Sequence, residues 1–171
     1  VINRKDHFSQ KEKLKIFREE FLGQTTNGKA AIIQNEEDIY FKYDKENYIL
    51  KAYSDKPLII VNPNLGYKIH YELVGFEVTF KRLSVDLNDA AFSLYKGLCR
   101  FEEISQENKI LINRKKAYQG SQVHFFYNMA NNIWGKDEFL ISKDDNNRNP
   151  NYCFIIDKQE NFAKVEVIKQ L

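Results

Sequence analysis

A single α+β domain is what this sequence predicts: an antiparallel, bulged β-sheet, read as a meander of about six to nine strands, with two or three helices packed on it. Three observations carry that expectation. The first is the stretch Pro57 to Lys81, PLIIVNPNLGYKIHYELVGFEVTFK, where Leu65, Tyr67, Ile69, Tyr71 and Leu73 alternate with Gly66, Lys68, His70 and Glu72. Strand side chains point to opposite faces in turn, so this pattern sets one face against a core. After Val74-Gly75 the parity flips, and Phe76, Val78 and Phe80 become the apolar set. One extra residue at a glycine re-aims a strand without losing its buried face, so the stretch reads as one long strand with a β-bulge near Gly75. Two strands joined by a tight turn at Gly75 are the competing reading. The second observation is a pair of capped amphipathic segments. The third is close spacing with short polar turns, which suits antiparallel strands because parallel ones need long crossovers.

The elements follow in order. Ser9 with Glu12 three residues on forms a capping box, and Leu14, Phe17, Phe21 and Leu22 share one side of the helix behind it. Gly23 ends that helix, and Lys11, Lys13, Lys15 and Glu19 are read as solvated. Acids interleaved with the lysines argue against a membrane-surface helix. QTTNGK, Gln24 to Lys29, reads as a turn at Asn27-Gly28, and Ala30 to Gln34 as a short strand. Ile39, Phe41 and Tyr43 alternate along a strand, Asp44 to Asn47 turns the chain, and Tyr48 to Tyr53 and Leu58 to Val61 are further strands. Leu83, Val85 and Leu87 continue the alternation up to a turn at Asn88-Asp89, Ala90 to Leu98 returns as a strand, and Cys99 to Ile104 leads out of it. Gln106 to Tyr118 leans to helix on its Lys, Arg and Glu content. Ser121 caps the clearest second helix, with Phe125, Met129 and Ile133 as its stripe and Trp134-Gly135 as its close. Phe139 to Ser142 is a short strand, and Tyr152 to Ile156 with Phe162 to Ile168 form a terminal hairpin. Residues 1–8 and the stretch 143–151, KDDNNRNPN, are expected to be flexible.

Composition excludes several functions. A formal charge of +2, with acids and bases interspersed, lacks the basic face that nucleic acid requires. No run approaches the roughly 20 apolar residues that span a bilayer. The start at Val1 shows no charged-then-apolar leader, as in a mature or trimmed chain. The 13 Phe and 10 Tyr favour a sheet-rich core. Cys99 and Cys153 sit among apolar neighbours, where free cysteine acts as a small buried hydrophobe, and a bridge between them stays open.

Chemistry-bearing residues are sparse. Ser121 and His124 lie three apart on one helix face, but GSQVH is not a nucleophile elbow. A cap and a first-turn polar residue explain both, and a hydrolase with a cleft around Ser121 and His124 is the alternative. Arg114, Tyr118 and His124 could line a shared pocket. The histidines His7, His70 and His124 have no ligand spacing, so no metal is expected, and no phosphate or dinucleotide glycine pattern calls for a cofactor. Asp144, Asp145 and Asn146 resemble only a fragment of a calcium loop, and Glu36-Glu37 and Glu102-Glu103 are adjacent carboxylates that point apart. Among the tyrosines, Tyr43, Tyr67 and Tyr71 fall in the core register, whereas Tyr40 and Tyr53 fall opposite and are candidates for an exposed, ligand-binding role.

LIIVNPNLGYKIHYEL and GFEVTF, with FREEFLG (Phe17 to Gly23), YKGLCRFEEI (Tyr95 to Ile104) and NRKKAYQGSQVHFF (Asn113 to Phe126), resemble a group of secreted Bacteroidetes proteins. These are labelled carboxypeptidase-like regulatory-domain-containing, and the likeness covers roughly Leu14 to Ile141, the region that follows the regulatory-like module. The resemblance implies an extracytoplasmic place, in the periplasm or cell envelope, and no reaction. The expected function is a non-enzymatic binding or structural module. Its partner is left open between another domain, an envelope protein and a glycan.

Overall fold

A computed structural model describes residues 7–143 and 146–168. The chain falls into two compact units, residues 1–111 and 112–171. Its class is α+β with antiparallel sheets.

The first unit is built on one six-stranded sheet: β1 (Ile32–Ile33), β2 (Ile39–Asp44), β3 (Ile49–Ser54), β4 (Leu58–Asn62), β5 (Tyr67–Phe80) and β6 (Ala90–Glu103). The stretch with the parity flip is one strand, β5, and its register against β6 shifts between Leu73 and Gly75. That bulge keeps Ile69, Tyr71 and Leu73 on the same face as Phe76, Val78 and Phe80. β6 runs along all of one edge of β5. On the other edge β4 pairs with Tyr67–Tyr71 and β3 with Phe76–Thr79, end to end, and β2 and β1 flank them. Consecutive β3 and β4 are therefore not ladder neighbours, which departs from simple up-and-down order.

Helix α1 (Gln10–Phe21) covers one face of this sheet. Its capping box is complete: Ser9 Oγ accepts from Glu12 N, and Glu12 accepts from Ser9 N at 2.8 Å. Gly23, at φ +81, takes the left-handed position that follows the helix. Phe17 stacks on Phe21 and contacts Phe41 and Phe76, and with Ile16, Leu50, Leu58 and Val78 it forms the fully buried centre. Each such side chain contributes roughly 1.5–3 kcal/mol on burial. Lys13, expected in solvent, is buried; the buried stripe runs through Lys13, Ile16 and Phe17, and the apolar stem of lysine can lie along such a surface.

Several expectations are corrected. QTTNGK is not a turn but the start of a short helix, α2 (Thr26–Ala30), because Thr25 caps it by accepting from Gly28 N. Gly28 serves a close approach, since a Cβ there would meet the Leu22 carbonyl oxygen at 2.3 Å. Arg82 to Leu87 leaves the ladder, held by the Tyr43 hydroxyl donating to the Ser84 carbonyl and by Arg82 on Asp89, and Leu87–Asp89 form a 3-10 turn. Cys99 to Glu103, expected to lead away, continue β6 because Tyr67–Tyr71 offer them a full pairing edge.

In the second unit, α3 (Asn108–Tyr118), which begins in the first, leads into α4 (Gln122–Ala130). Ser121 caps α4, and Met129 is buried. The helix stops at Ala130, before the expected Trp134-Gly135, where Asn131 and left-handed Asn132 turn the chain. It packs on the hairpin of β9 (Phe154–Lys158) and β10 (Ala163–Val167), and Trp134 stacks on Phe154 at 6.0 Å. β7 (Ile141–Lys143), which takes up the end of the strand expected over Phe139 to Ser142, pairs antiparallel with β8 (Asn146–Arg148), so Lys143 and β8 are extended in the stretch expected to be flexible, and Pro150–Tyr152 form a 3-10 turn. Of that expectation, residues 1–6 and 144–145 lie outside the described residues, and the calcium-loop fragment goes with them.

Candidate functional site

The Ser121/His124 cluster lies wholly in the second unit and has a clear wiring. Ser121 Oγ accepts from the His124 backbone N–H at 3.1 Å, the ordinary N-cap bond. The His124 ring accepts at Nδ1 from Gly120 N–H (3.1 Å), and its Nε2 lies 2.9 Å from Glu138 Oε2. The same carboxylate oxygen accepts from buried Asn128 at 2.7 Å. Tyr118 and Phe139 flank the imidazole, with ring centroids 4.8 and 4.9 Å away. A general base needs a nitrogen lone pair aimed at the nucleophile. Here Nδ1 faces a backbone N–H, Nε2 faces Glu138, and the hydroxyl is turned to the backbone. The arrangement ties the α4 N-terminus to the Glu138 loop; it does not relay a proton. Arg114 is half-buried on α3 and carries an interaction of its own.

Tyr40 and Tyr53 sit opposite one another on β2 and β3, both exposed on the sheet face away from α1. Their rings stack at 5.4 Å and 16°, and the Tyr40 hydroxyl donates to Asp55 at 3.2 Å. Desolvation and the nearby Asp55 charge raise the Tyr40 phenol above its ordinary value. Tyr43, Tyr67 and Tyr71 occupy the opposite face and are half-buried. Burial raises the Tyr71 phenol as well.

The sequence left one site unremarked. On the α1 side, the helices cover the sheet only in part. A groove of about 380 Å³ runs between the end of α1, α2 and the β5–β6 ribbon. Phe21, Tyr71, Tyr95 and Phe101 line it with Ile60 and Ile69, and Asn62, whose side chain donates to the Asn27 carbonyl, lines it together with Asn27. Phe21 meets both Tyr71 (4.9 Å) and Tyr95 (5.7 Å) edge-on, so the walls are braced. Cys99 lies in the lining and is exposed, against the expected burial; Cys153 is buried, and both thiols are free. The alternation Tyr95, Gly97, Cys99, Phe101 could have marked this lining, had the strand been carried past Leu98.

Among the described residues, no group of three or more His, Cys, Asp or Glu is placed to hold a metal ion, and no helix is long and apolar enough to cross a membrane. His70 Nε2 lies 3.4 Å from a single carboxylate among the described residues, that of Glu102. Comparison with protein-family profiles, curated proteins and solved structures finds nothing that matches this chain.

Proposed function

We propose that this protein is a non-enzymatic binding module that works outside the cytoplasm. It holds an apolar or aromatic group of its partner in the groove between α1, α2 and the β5–β6 ribbon. The observation that carries this reading is the groove itself. It is an open hollow braced by aromatic contacts and lined mainly by apolar side chains, with Thr25, Asn27 and Asn62 among its few polar residues, which is the make-up of a site for an apolar group. The wiring of His124, with each ring nitrogen already engaged, counts against the hydrolase alternative. The extracytoplasmic place rests on the sequence resemblance across Leu14 to Ile141.

The test uses a probe and a plug. The dye 1-anilinonaphthalene-8-sulfonate should bind the folded protein at one saturable site. Ala31→Trp, which fills the groove from its lining, should weaken that binding by about tenfold or more. Near-UV circular dichroism distinguishes this from loosened packing, which also binds the dye. Equal dye affinity in the two proteins would overturn the reading. In parallel, p-nitrophenyl acetate should turn over no faster with the wild type than with Ser121→Ala. A rate that falls in that variant would restore the hydrolase.

A further inference from the structure

β6 is a long strand with one free side. Among the described residues its only ladder partner is β5. Phe92, Leu94, Leu98 and Phe101 along it are all about half exposed or more. A long unpaired edge without proline is a template for another strand, and the charges on it, Lys96, Arg100, Glu102 and Glu103, decide which register that strand can take. The ribbon's register shifts fall at Leu73/Gly75 and Thr79/Phe80, so Gly97 to Glu103 run without interruption.

We infer that the occupant of this edge is the β6 strand of a second copy of the chain, paired antiparallel about a two-fold axis at Cys99. The argument is one of register and charge. A two-fold perpendicular to a sheet preserves its faces, so the axis must pass through a residue, and that residue fixes every other pair. With the axis at Lys96 or at Arg100, that cation faces itself. With the axis at Leu98, Lys96 faces the partner's Arg100, twice. With the axis at Gly97, or at Tyr95 and nearer the start of the strand, no opposite charges meet; with the axis at Phe101, Arg100 faces the partner's Glu102 but only residues 99–103 of the strand are left to pair; at Glu102 or Glu103 that carboxylate faces itself. With the axis at Cys99, Lys96 faces the partner's Glu102 and Glu102 the partner's Lys96, with no like charges opposed. Leu98 then lies against the stem of the partner's Arg100, and Tyr95 faces the partner's Glu103 at the strand's end. Phe101 comes over the partner's Gly97, where the Tyr71 ring fills the space a side chain would take, so aromatic meets aromatic. Opposite charges and apolar pairs directly across a ladder stabilise it, and like charges destabilise it.

The geometry has a consequence on the α1 side. Tyr95, Cys99 and Phe101 line the groove and share one face of β6. The axis therefore joins the two grooves into a single trough, with the two Cys99 side chains at its seam. This pairing stands whether or not the groove binds a ligand, and its test does not use the dye.

Sedimentation equilibrium over a concentration series reads it. The wild type should be a concentration-dependent dimer. Lys96→Glu or Glu102→Lys, each opposing like charges at two symmetric places, should raise the dissociation constant by about tenfold, and the double exchange should restore it to within about threefold. A short bis-maleimide should join wild-type chains through Cys99, and Cys99→Ser should abolish the product, because Cys153 is buried. A wild type that sediments as a monomer throughout, a dimer indifferent to both single reversals, or a double exchange that fails to rescue would each overturn the proposal.

Discussion

Ser121 shows how a residue that looks catalytic can be accounted for by backbone chemistry. Its side chain accepts the His124 N–H, one of the orphan donors at the start of α4. Ser121→Ala should therefore cost about 1 kcal/mol of stability, and Ser121→Asp should largely retain it. Denaturant unfolding followed by far-UV circular dichroism measures both, and an alanine variant as stable as the wild type would remove the cap as an explanation. The role of Ser121 could be read directly from sequence, because a cap needs only neighbours in the chain. His124 could not be read the same way. Its partner Glu138 lies beyond the end of the helix, and only the fold sets their 2.9 Å separation. Tyr40 and Tyr53 fall between these cases: strand parity placed them on the outer face, but their stacking depends on the β2–β3 register.

At the scale of the element, two glycines in the same ribbon do different things. Gly75 marks the bulge in β5, and a Cβ there would meet only the flexible end of Lys96, at 3.2 Å. Gly97 lies across from Leu73 on β6, where a Cβ would meet the Glu72 carbonyl oxygen at 2.3 Å and the Tyr71 ring at 2.5 Å. Backbone cannot retreat as a lysine can. Gly97→Ala should destabilise the first unit by roughly 1–3 kcal/mol, as overpacking does, whereas Gly75→Ala should stay within about 0.5 kcal/mol of the wild type. Thermal unfolding of the two variants side by side decides it, and equal losses would mean that the ribbon repacks freely. Sequence drew attention to Gly75 because the parity flip is visible there. Gly97 carries no such signal, since its constraint comes from a side chain on another strand. The end of β6 was hidden for a related reason: Cys99 and Phe101 alternate with Arg100 and Glu102, but so short an alternation does not say where a strand stops, and β5 across the ladder is what keeps these residues extended.

On the scale of the whole molecule, antiparallel sheet and covering helix were legible because period and punctuation are local properties of the chain. The groove was not, because it is defined by what α1 and α2 leave uncovered. The same distribution of short-range bonds sets how the fold responds to acid. In the first unit, hydrogen bonds hold several carboxyls below their ordinary values: Ser9 on Glu12, Lys56 and Asn35 on Asp38, Asn47 on Asp44, and Ser84 and Arg82 on Asp89. A carboxyl lowered in the folded state releases its proton more readily there than in the unfolded chain, so the unfolded chain binds more protons and stability rises with pH. The contribution is complete above the ordinary carboxyl values, 3.8 for Asp and 4.5 for Glu, and is lost as pH falls through the lowered native ones. Asp44 isolates the effect, because it accepts from Glu46 N, Asn47 N and the Asn47 side chain in one turn. Asp44→Asn keeps an acceptor but removes the titration. The variant should melt below the wild type at neutral pH, and the gap should close as pH is lowered past the ordinary Asp value toward 2. Melting curves at a series of pH values follow it, and a gap that stays constant or widens in acid would show that the carboxylate charge at this turn is not what stabilises it.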